Sequence, residues 1–545
     1  MNTEKKQSFM QGIITLMFSQ VIIKIMGLIY KLYLTNRQGF GDTGNAIYNG
    51  GFQIYALLLT ISSIGVPNAM SKMISERLSI GDRRGADKIL RVAFASFSIV
   101  GFIGSCILFF GAKTIAKTWI QIPEAELSLI VLAPSVFLVS LISVLRGYFN
   151  GNENMKPMAR SQALEQMFKT LFTIILVEIV CLTMGSKNTT KYMAAAANLS
   201  TTMATFICFL YLVNLYLKSY KVRSRTVMTG KTLRTKEIIK NIIIIAMPLT
   251  ISAILGSLNK NIDSMTIVRC LKNFMTDEQA KIQYGILSGK IDTLVMLPLS
   301  FNIAFATALV PAISAGKARG DMQSIKKRIS FSLLITILIG VPCTIGMFTF
   351  AKPILEMLFP NASNGEALFK ISSIAIIFIT IEQTINGALQ GLGKLSTPVI
   401  SLGIGAVIKL ILNIVLIRIP SEEFIFGGIN GAAFATIVCH VVSSIISFVA
   451  LKKNINIKFK ISKYIFKPVF ASITMAFIGW NIYNFAKCII IQNIAIILAI
   501  LIAITVYVIL VLALRIFDIE EIYMLPFGAK ILKKLKIIRA WNSIK

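Results

Sequence analysis

The sequence contains few of the residues from which catalytic and metal centres are built. It has one histidine, His440, and its seven cysteines show no paired spacing, which excludes a His/Cys metal cluster. Most of these cysteines lie in apolar stretches, as small buried side chains do. Ser-His nucleophilic catalysis would depend on His440 alone. The sequence therefore predicts a protein that is not an enzyme and uses no metal or cofactor.

Nucleotide-binding motifs are missing as well. In the Gly-rich stretch 387–396, Lys394 is followed by Leu395 where a P-loop has Ser or Thr, and the glycine spacing differs from that of a P-loop. ATP hydrolysis is therefore excluded as a source of energy.

Charged residues are scarce: they make up 15% of the 545 residues, against about 25% in soluble domains. Hydrophobic residues make up 55%, and the mean hydropathy is +0.75. This composition predicts an integral membrane protein. The apolar run 12–34 is too long for a signal peptide and is expected to be a first spanning helix.

Hydropathy predicts fourteen spanning helices, each about long enough to cross a bilayer. They lie near residues 11–34, 46–70, 89–110, 125–147, 159–183, 192–217, 238–259, 284–311, 329–350, 367–392, 397–418, 427–450, 464–484 and 490–515. With an even number of spans, both chain termini lie on the same side of the membrane.

The Lys and Arg residues are distributed unevenly among the predicted loops. If the N-terminus is cytoplasmic, the inner loops hold about three times as many of them as the outer loops. This bias predicts that both termini are cytoplasmic, and it accounts for most of the formal net charge of +32. A nucleic-acid partner is not expected, because no base-reading motif accompanies the charge.

The chain contains an internal duplication. The segment RGYFNGNENMKP realigns with NGALQGLGKLST at an offset of 240 residues, and the alignment continues so that Gly147 meets Gly387 and Lys169 meets Lys409. Because this offset corresponds to six helices, both copies have the same orientation in the bilayer. The sequence thus predicts an all-α polytopic membrane protein with two parallel six-helix repeats and two extra C-terminal helices.

The duplication also predicts domain boundaries. An N-terminal lobe would comprise residues 1–222 and a C-terminal lobe residues 223–455, followed by the last two helices and a basic cytoplasmic tail within 456–545. Two such lobes usually enclose a cavity, and a transporter uses it by rocking one lobe against the other. A duplicated scaffold without a moving substrate is the alternative.

Charged groups at membrane depth indicate where such a cavity would bind its substrate, because each costs about 3 kcal/mol near the bilayer centre. Five lysines lie within the predicted spans: Lys24, Lys31, Lys169, Lys290 and Lys409. Lys24 and Lys31 share one helix face with Gln20 and Gly27. A cavity lined by amines suits an anionic substrate such as a phosphate or diphosphate.

Two of these lysines are related by the duplication but have different neighbours. Glu165 stands four residues before Lys169, which is the spacing of an intrahelical ion pair, although Lys169 facing the cavity is the alternative. Lys409 has no acid within one turn and needs a partner on another helix, a water-filled cavity or an anionic ligand. We therefore expect Lys409 to be the more important of the two for transport.

The sequence yields two sets of candidate site residues. The candidates for substrate binding are Lys24, Lys31, Lys290 and Lys409, together with the polar residues Asn49 and Gln53. The candidates for coupling to a cation are Glu382 and Asp292. His440, also within a predicted span, is expected either to pack by hydrogen bonding or to relay protons. Without an ATP motif, the energy must come from the membrane potential or an ion gradient.

Several stretches of the sequence resemble a known family. GNAIYNGGFQIYALLLTISSIGVPNAMSKMISE, from Gly44, is followed by GDRRGAD and looks like the span-two signature of the polysaccharide-exporter branch of the multidrug/oligosaccharidyl-lipid/polysaccharide superfamily. RGYFNGNENMKP, LPLSFNIAFATALVPAIS and GALQGLGK resemble other stretches of that branch. The likeness is to the Gram-positive group that includes stage V sporulation proteins and lipid II flippases.

This resemblance implies a V-shaped two-lobed fold with a central basic cavity. It implies a flippase that moves an anionic lipid-linked saccharide, such as undecaprenyl-diphosphate-linked lipid II, across the bacterial plasma membrane by alternating access. The implied partners are that substrate and membrane lipids, and the two extra helices would form a groove for the lipid tail. A monovalent cation is a further candidate partner because, without an ATP motif, the energy would come from the membrane potential or an ion gradient.

The resemblance also assigns positions on the first span. Lys24, three residues before Gly27, corresponds to the basic residue of the family pattern R-x-x-G. Lipid II flippases then have an Arg-Asp pair where this sequence has Tyr30 and Lys31. Another lipid-linked saccharide therefore remains an alternative substrate.

Two further alternatives remain. A cation-coupled multidrug antiporter would have twelve helices and an acid-lined cavity. A membrane transferase acting on the same lipids would need clustered carboxylates at the membrane face, whereas the acids of 72–91 stand close to Lys or Arg and look like solvated helix ends.

Overall fold

The computed structural model describes residues 9–63, 65–152, 154–184, 189–223, 234–455, 460–518 and 521–522. Within these ranges the regular structure is helical and contains no strand, which confirms the all-α prediction. The predicted basic tail after residue 522 lies outside them.

The helices follow one another along the whole described chain. In the first half they are α1 (Phe9–Asn36), α2 (Gly41–Ser63), α3 (Gly65–Ser79), α4 (Arg83–Thr114), α5 (Glu126–Gly151), α6 (Lys156–Thr183), α7 (Thr189–Arg223) and α8 (Thr235–Leu271). In the second half they are α9 (Asp277–Gly285), α10 (Asp292–Ala318), α11 (Met322–Thr349), α12 (Ala351–Leu358), α13 (Glu366–Gly391), α14 (Ser396–Leu416), α15 (Gly428–Asn454), α16 (Lys467–Ala486) and α17 (Gln492–Ala513). Short helical turns of other types are Ile115–Ile120, Pro123–Ala125, Ile286–Ile291 and Ser462–Phe466.

Each predicted span coincides with one of these helices or with two that follow directly. In the described residues, 12 helical stretches are long and apolar enough to cross a membrane. The two other predicted spans, 11–34 and 238–259, coincide with α1 and α8, which are 28 and 37 residues long. The prediction of a multi-pass membrane protein is confirmed.

Large apolar side chains cover the outer faces of the helices. Phe110 on α4 is 79% exposed, and Phe477 on α16 is 70% exposed. In water such exposure would cost about 25 cal/mol per Å² of apolar surface. In hydrocarbon it costs nothing, because lipid tails are as apolar as the side chains.

The chain divides into two compact units. The first comprises Met1–Leu297, Leu358–Leu368 and Val399–Cys439, and the second comprises Pro298–Met357, Phe369–Pro398 and His440–Lys545. Helices α10, α13, α14 and α15 contribute residues to both units. The predicted lobes 1–222 and 223–455 follow the duplication and stay a prediction.

Each unit has its own apolar core. In the first unit α3, α4, α5, α7 and α8 pack together through buried side chains such as Ile74, Ile89 and Leu145. In the second unit α10, α11 and α13 pack with α16 and α17, where Leu334 and Met475 are buried. The two extra C-terminal helices thus belong to the second unit.

Two helices related by the duplication begin in the same way. Gly81 and Gly320 adopt φ values of +77° and +71°, which glycine reaches without steric cost. Asp82 and Asp321 then cap α4 and α11, each accepting a hydrogen bond from the backbone N–H three residues on, at 2.7 and 2.9 Å. The same turn therefore precedes the corresponding helix of each repeat.

The paired glycines Gly147 and Gly387 also have one structural role. A Cβ on Gly147 would lie 2.8 Å from the carbonyl oxygen of Pro67, and a Cβ on Gly387 would lie 2.7 Å from that of Ala306. Only glycine lets α5 approach α3, and α13 approach α10, this closely. The duplication found in the sequence thus reappears as equivalent helix packing.

Candidate substrate-binding site

One face of α1 carries two of the predicted site residues. Lys24 is exposed on it, whereas Lys31 is only 9% exposed. Between them α6 approaches α1 at Gly27, where an added Cβ would lie 3.9 Å from Nε2 of Gln166. The side chain of Gln20, on the same face, is not among those that the structure describes.

Lys31 is held by residues of α2. Its Nζ donates a hydrogen bond to Oδ1 of Asn49 at 2.8 Å and lies 4.6 Å from the ring centroid of Tyr48. Asn49 is oriented in turn, because its Nδ2 donates to the carbonyl oxygen of Asn45 at 2.9 Å. The ring quadrupole attracts the ammonium placed over its face. Gln53, one turn further along α2, is half-buried.

Lys169 of α6 lies against aromatic rings next to Tyr48, and its side chain is 7% exposed. Its Nζ is 4.2 Å from the ring centroid of Phe52 and 5.3 Å from that of Tyr30. The rings of Phe52 and Tyr48 stack at 5.7 Å. The two ammonium groups and the three rings form what we call the lysine–aromatic cluster: Lys31, Lys169, Tyr30, Tyr48 and Phe52.

The lysine–aromatic cluster brings two buried amines close to each other. Among the described residues neither Lys31 nor Lys169 forms an ion pair, and the two ammonium groups repel each other. Lys260 adds to this repulsion and also repels Lys24, whereas Asp292 attracts Lys31. Because removing a charged group from water costs several kcal/mol, an anion bound beside these amines would be strongly favoured.

The other predicted lysines have carboxylate partners. Nζ of Lys290, whose side chain is fully buried, lies 3.0 Å from a carboxylate oxygen of Asp42 and also donates to two backbone carbonyls. Nζ of Lys409 donates to Oδ2 of Asp263 at 2.6 Å and to the carbonyl oxygen of Asn259 at 3.0 Å. Lys409 thus has a partner on another helix, one of the three arrangements that its sequence context allows. These two ammonium groups are committed to buried salt bridges.

The expected Glu165–Lys169 ion pair is wrong. Glu165 instead accepts a hydrogen bond from Arg146 of α5 at 2.8 Å, and the same guanidinium donates to Ser161 at 3.0 Å. The planar guanidinium reaches both partners at once, which an ammonium on the same helix as Glu165 does not. The expectation that Lys409 lacks an acidic partner is therefore wrong, and among the described residues it is Lys169 that forms no ion pair.

Two contributors to the site were missed because a predicted span ends too early. The span 238–259 places Lys260 in a loop, whereas α8 continues to Leu271. Within that extension Lys260 lies 3.8 Å from Asp292, and Asp263 binds Lys409. The spacing of Asn259, Asp263 and Thr266 on one helix face was the signal available in the sequence.

The two candidates for cation coupling lie in different units. Asp292, in the first unit, is half-buried and has Lys260 as its neighbour. Glu382, in the second unit, is buried and hydrogen-bonded to His440 and Ser443, both at 2.6 Å. In the part of the chain that the structure describes, no group of three His, Cys, Asp or Glu side chains is arranged to hold a metal ion.

Comparisons with known proteins agree with this architecture. The family described as "Polysaccharide biosynthesis protein" matches residues 9–317, and the family described as "MatE" matches residues 287–415. Stage V sporulation protein B of Bacillus subtilis (strain 168) is 27% identical over 463 residues, which are 84% of this chain and 86% of that protein.

One further relative and one solved structure both carry the name lipid II flippase MurJ. Lipid II flippase MurJ of the same Bacillus subtilis strain is 25% identical over 472 residues, which are 83% of this chain and 84% of that protein. A solved structure of lipid II flippase MurJ in an inward closed conformation superimposes with a TM-score of 0.68. It has 16% sequence identity and covers 92% of this chain and 99% of that one. This chain belongs to the polysaccharide biosynthesis protein family, within the multidrug/oligosaccharidyl-lipid/polysaccharide superfamily of membrane transporters.

Proposed function

We propose that this protein is a flippase that moves a lipid-linked cell-wall precursor, undecaprenyl-diphosphate-linked lipid II, across the bacterial plasma membrane. It works by alternating access, and the membrane potential or an ion gradient supplies the energy. Both termini are cytoplasmic, and the predicted lobes 1–222 and 223–455 are the parts that rock.

The observation that carries this proposal is a pair of buried amines, Lys31 and Lys169, that form no ion pair with any described carboxylate. Both lysines lie against the rings of the lysine–aromatic cluster. Lys24 on α1 and Lys260 on α8 place further amines near it. A diphosphate is a compact anion with several acceptor oxygens, and ammonium groups bind it as point charges. The saccharide would contact the amide groups of Asn49 and Gln53.

The relatives support transport rather than catalysis. The flippase names belong to proteins that match more than four-fifths of this chain. The sequence identity to these relatives is about one quarter. Identity at this level supports a lipid-linked saccharide as the class of substrate, and lipid II is the first candidate within that class. Another lipid-linked saccharide is the second candidate.

The match of residues 287–415 to the MatE family favours one other function, a cation-coupled multidrug antiporter. A cationic drug would meet several lysines near the cluster, and like charges repel. The lysine–aromatic cluster therefore favours the anionic substrate.

Reconstitution into liposomes tests the proposal. Purified protein is assayed with fluorescent lipid II, with another undecaprenyl-diphosphate saccharide and with a cationic dye, and we expect transport of lipid II alone or fastest. The variant K31M/K169M should lose transport. The control K487M removes an exposed lysine that also lies over an aromatic ring, Tyr483, and should keep it. Transport of the dye alone, or full activity of K31M/K169M, would refute the proposal.

A further inference from the structure

Helix α8 is longer than a bilayer-spanning helix needs to be. Its 37 residues, Thr235–Leu271, give it a length of about 55 Å, whereas the hydrocarbon core of a bilayer is about 30 Å thick. At least one end of α8 therefore extends into the region of the lipid headgroups. The predicted topology places the N-terminal end on the cytoplasmic side.

An open groove lies along α8 near this N-terminal end. It has a volume of about 380 Å³ and is lined by Lys236, Ile239, Lys240, Ile243 and Ile244. The two lysines are exposed and stand one helical turn apart, so that they are neighbours on the helix surface. Among the described residues that line the groove, two amines thus accompany apolar side chains, and there is no carboxylate.

A second, smaller groove beside the first has a different balance of charge. It lies between α3 and α8, has a volume of about 130 Å³ and shares Ile244 with the first groove. Its charged lining residues are Lys72, Glu76, Arg77 and Glu237. Two basic groups face two acidic groups there, so an anion is favoured in the first groove and not in the second.

Apolar side chains continue from the lysines along the same face of α8. Ile243, Ile244, Met247 and Ile251 are between 45% and 58% exposed, and Lys240 precedes Ile244, Met247 and Ile251 at helical spacing. From Lys240 to Ile251 the helix rises about 16 Å, close to the roughly 15 Å of hydrocarbon in one leaflet. This face therefore has a charged end and an apolar strip one leaflet long, the dimensions of a single phospholipid.

The opposite face of α8 is fixed to the rest of the first unit. Ile238, Ile242 and Ala246 are buried in the apolar core with side chains of α3, α4, α5 and α7. A lipid bound on the exposed face would add contacts to the end of a helix that is already packed on its other side. Such binding should therefore raise the thermal stability of the protein.

We propose that the N-terminal part of α8 binds an anionic phospholipid, such as phosphatidylglycerol, from the cytoplasmic leaflet. The ammonium groups of Lys236 and Lys240 donate to the lipid phosphate, and an acyl chain lies along Ile243, Ile244 and Met247. Anionic lipids concentrate at basic groups near the membrane surface. None of these residues belongs to the lysine–aromatic cluster, so this lipid site is separate from the proposed substrate site.

The first test compares ligands by thermal unfolding of the purified protein in an uncharged detergent. Phosphatidylglycerol should raise the melting temperature by several degrees more than phosphatidylcholine with the same acyl chains, and high salt should reduce the difference. Soluble glycerol phosphate should give no shift, because it has no acyl chain. An equal shift with phosphatidylcholine, or a full shift with glycerol phosphate, would overturn the inference.

The second test compares variants in the same assay. K236M/K240M should keep the melting temperature of the lipid-free protein, because both lysines are exposed, and should lose most of the shift caused by phosphatidylglycerol. I244W keeps both charges, fills the groove and should also weaken the shift. The control K452M/K453M removes two exposed lysines from the C-terminal end of α15 and should keep the shift.

Native mass spectrometry provides a readout that does not depend on stability. K236M/K240M should retain fewer phosphatidylglycerol molecules than the unchanged protein, whereas K452M/K453M should retain as many. Equal retention by K236M/K240M and the unchanged protein, or an equal loss in the control, would contradict a specific site on α8. Both tests measure binding without transport, so a failure of the protein to flip any lipid-linked saccharide would refute the proposed function and leave this site intact.

Discussion

At the scale of single residues, the lysines at membrane depth differ in what balances their charge. Lys290 and Lys409 each have a carboxylate partner within 3.0 Å, whereas Lys31 and Lys169 have aromatic rings and each other as neighbours. Removing a paired lysine strands a buried carboxylate. Removing an unpaired one relieves repulsion and takes away a binding group.

The repeat-related lysines Lys169 and Lys409 should therefore respond in opposite ways to substitution by methionine. K409M should lose about 3–5 kcal/mol of stability, because Asp263 is left buried without its counter-ion. K169M should change stability by no more than about 1 kcal/mol and should abolish flipping. Thermal unfolding in detergent and flipping in liposomes measure the two effects. The double variant K409M/D263N should regain most of the stability, and failure to do so would contradict the ion-pair account.

Lys24 also forms no ion pair among the described residues, but it is exposed. Its substitution by alanine should abolish flipping and leave folding and membrane insertion intact, because it removes a charge rather than a packing group. Lys24→Arg keeps the charge and should be tolerated. Complementation of a depleted strain at matched membrane levels measures both, and growth supported by K24A would rule out this role.

At the scale of helices, close packing against a neighbouring helix decides whether a glycine can be replaced by alanine, and the higher helix propensity of alanine is secondary. Gly387 of α13 lies against the backbone of α10, whereas a Cβ on Gly403 of α14 would meet no atom within 4 Å. G387A should destabilise the protein by about 1–3 kcal/mol, the usual cost of overpacking. G403A should stabilise it by up to about 1 kcal/mol, the difference in helix propensity. The melting temperatures of the two variants measure these effects. Shifts of the same sign and size in both variants would contradict the packing argument.

The two C-terminal helices α16 and α17 lie outside the internal duplication and pack in the core of the second unit. They dock on α11, where Tyr507 donates to the carbonyl oxygen of Leu338 at 2.9 Å and Met475 is buried. The side chains that their removal would uncover are mainly apolar, and lipid can replace the contacts.

Truncation after about Lys460 should therefore leave an inserted core that cannot move a substrate with a long polyprenyl chain. Membrane fractionation measures insertion, and liposome assays with short-chain and long-chain lipids measure transport. Full activity on the long-chain substrate would show that these helices serve only as an anchor or an assembly surface.

At the scale of the whole molecule, the distribution of charge predicts the orientation in the membrane. Arg84 and Lys394 are exposed at helix ends on the predicted inner side, and Lys487 is exposed on the predicted outer side. In a variant without the native cysteines, R84C and K394C should react with a membrane-impermeant thiol reagent only after permeabilisation. K487C should react in intact cells. Labelling of R84C from outside would reverse the orientation.

The amino-acid sequence by itself determined the class and the repeat of this protein. Long apolar runs predict spanning helices whatever their neighbours, because backbone groups in lipid must bond within the helix. The duplication is visible in Gly147 and Gly387 because close helix packing demands glycine at the same place in each repeat. These features depend on local composition and spacing.

Only the tertiary structure decided which charged groups are paired. Asp263 is 146 residues from Lys409 in the sequence, and Asp42 is 248 residues from Lys290. Glu165 stands at helical spacing from Lys169 but is captured by Arg146, which reaches it from α5. A salt bridge in lipid forms between the groups that the packed helices bring within about 3 Å, and spacing along one helix does not determine which groups those are.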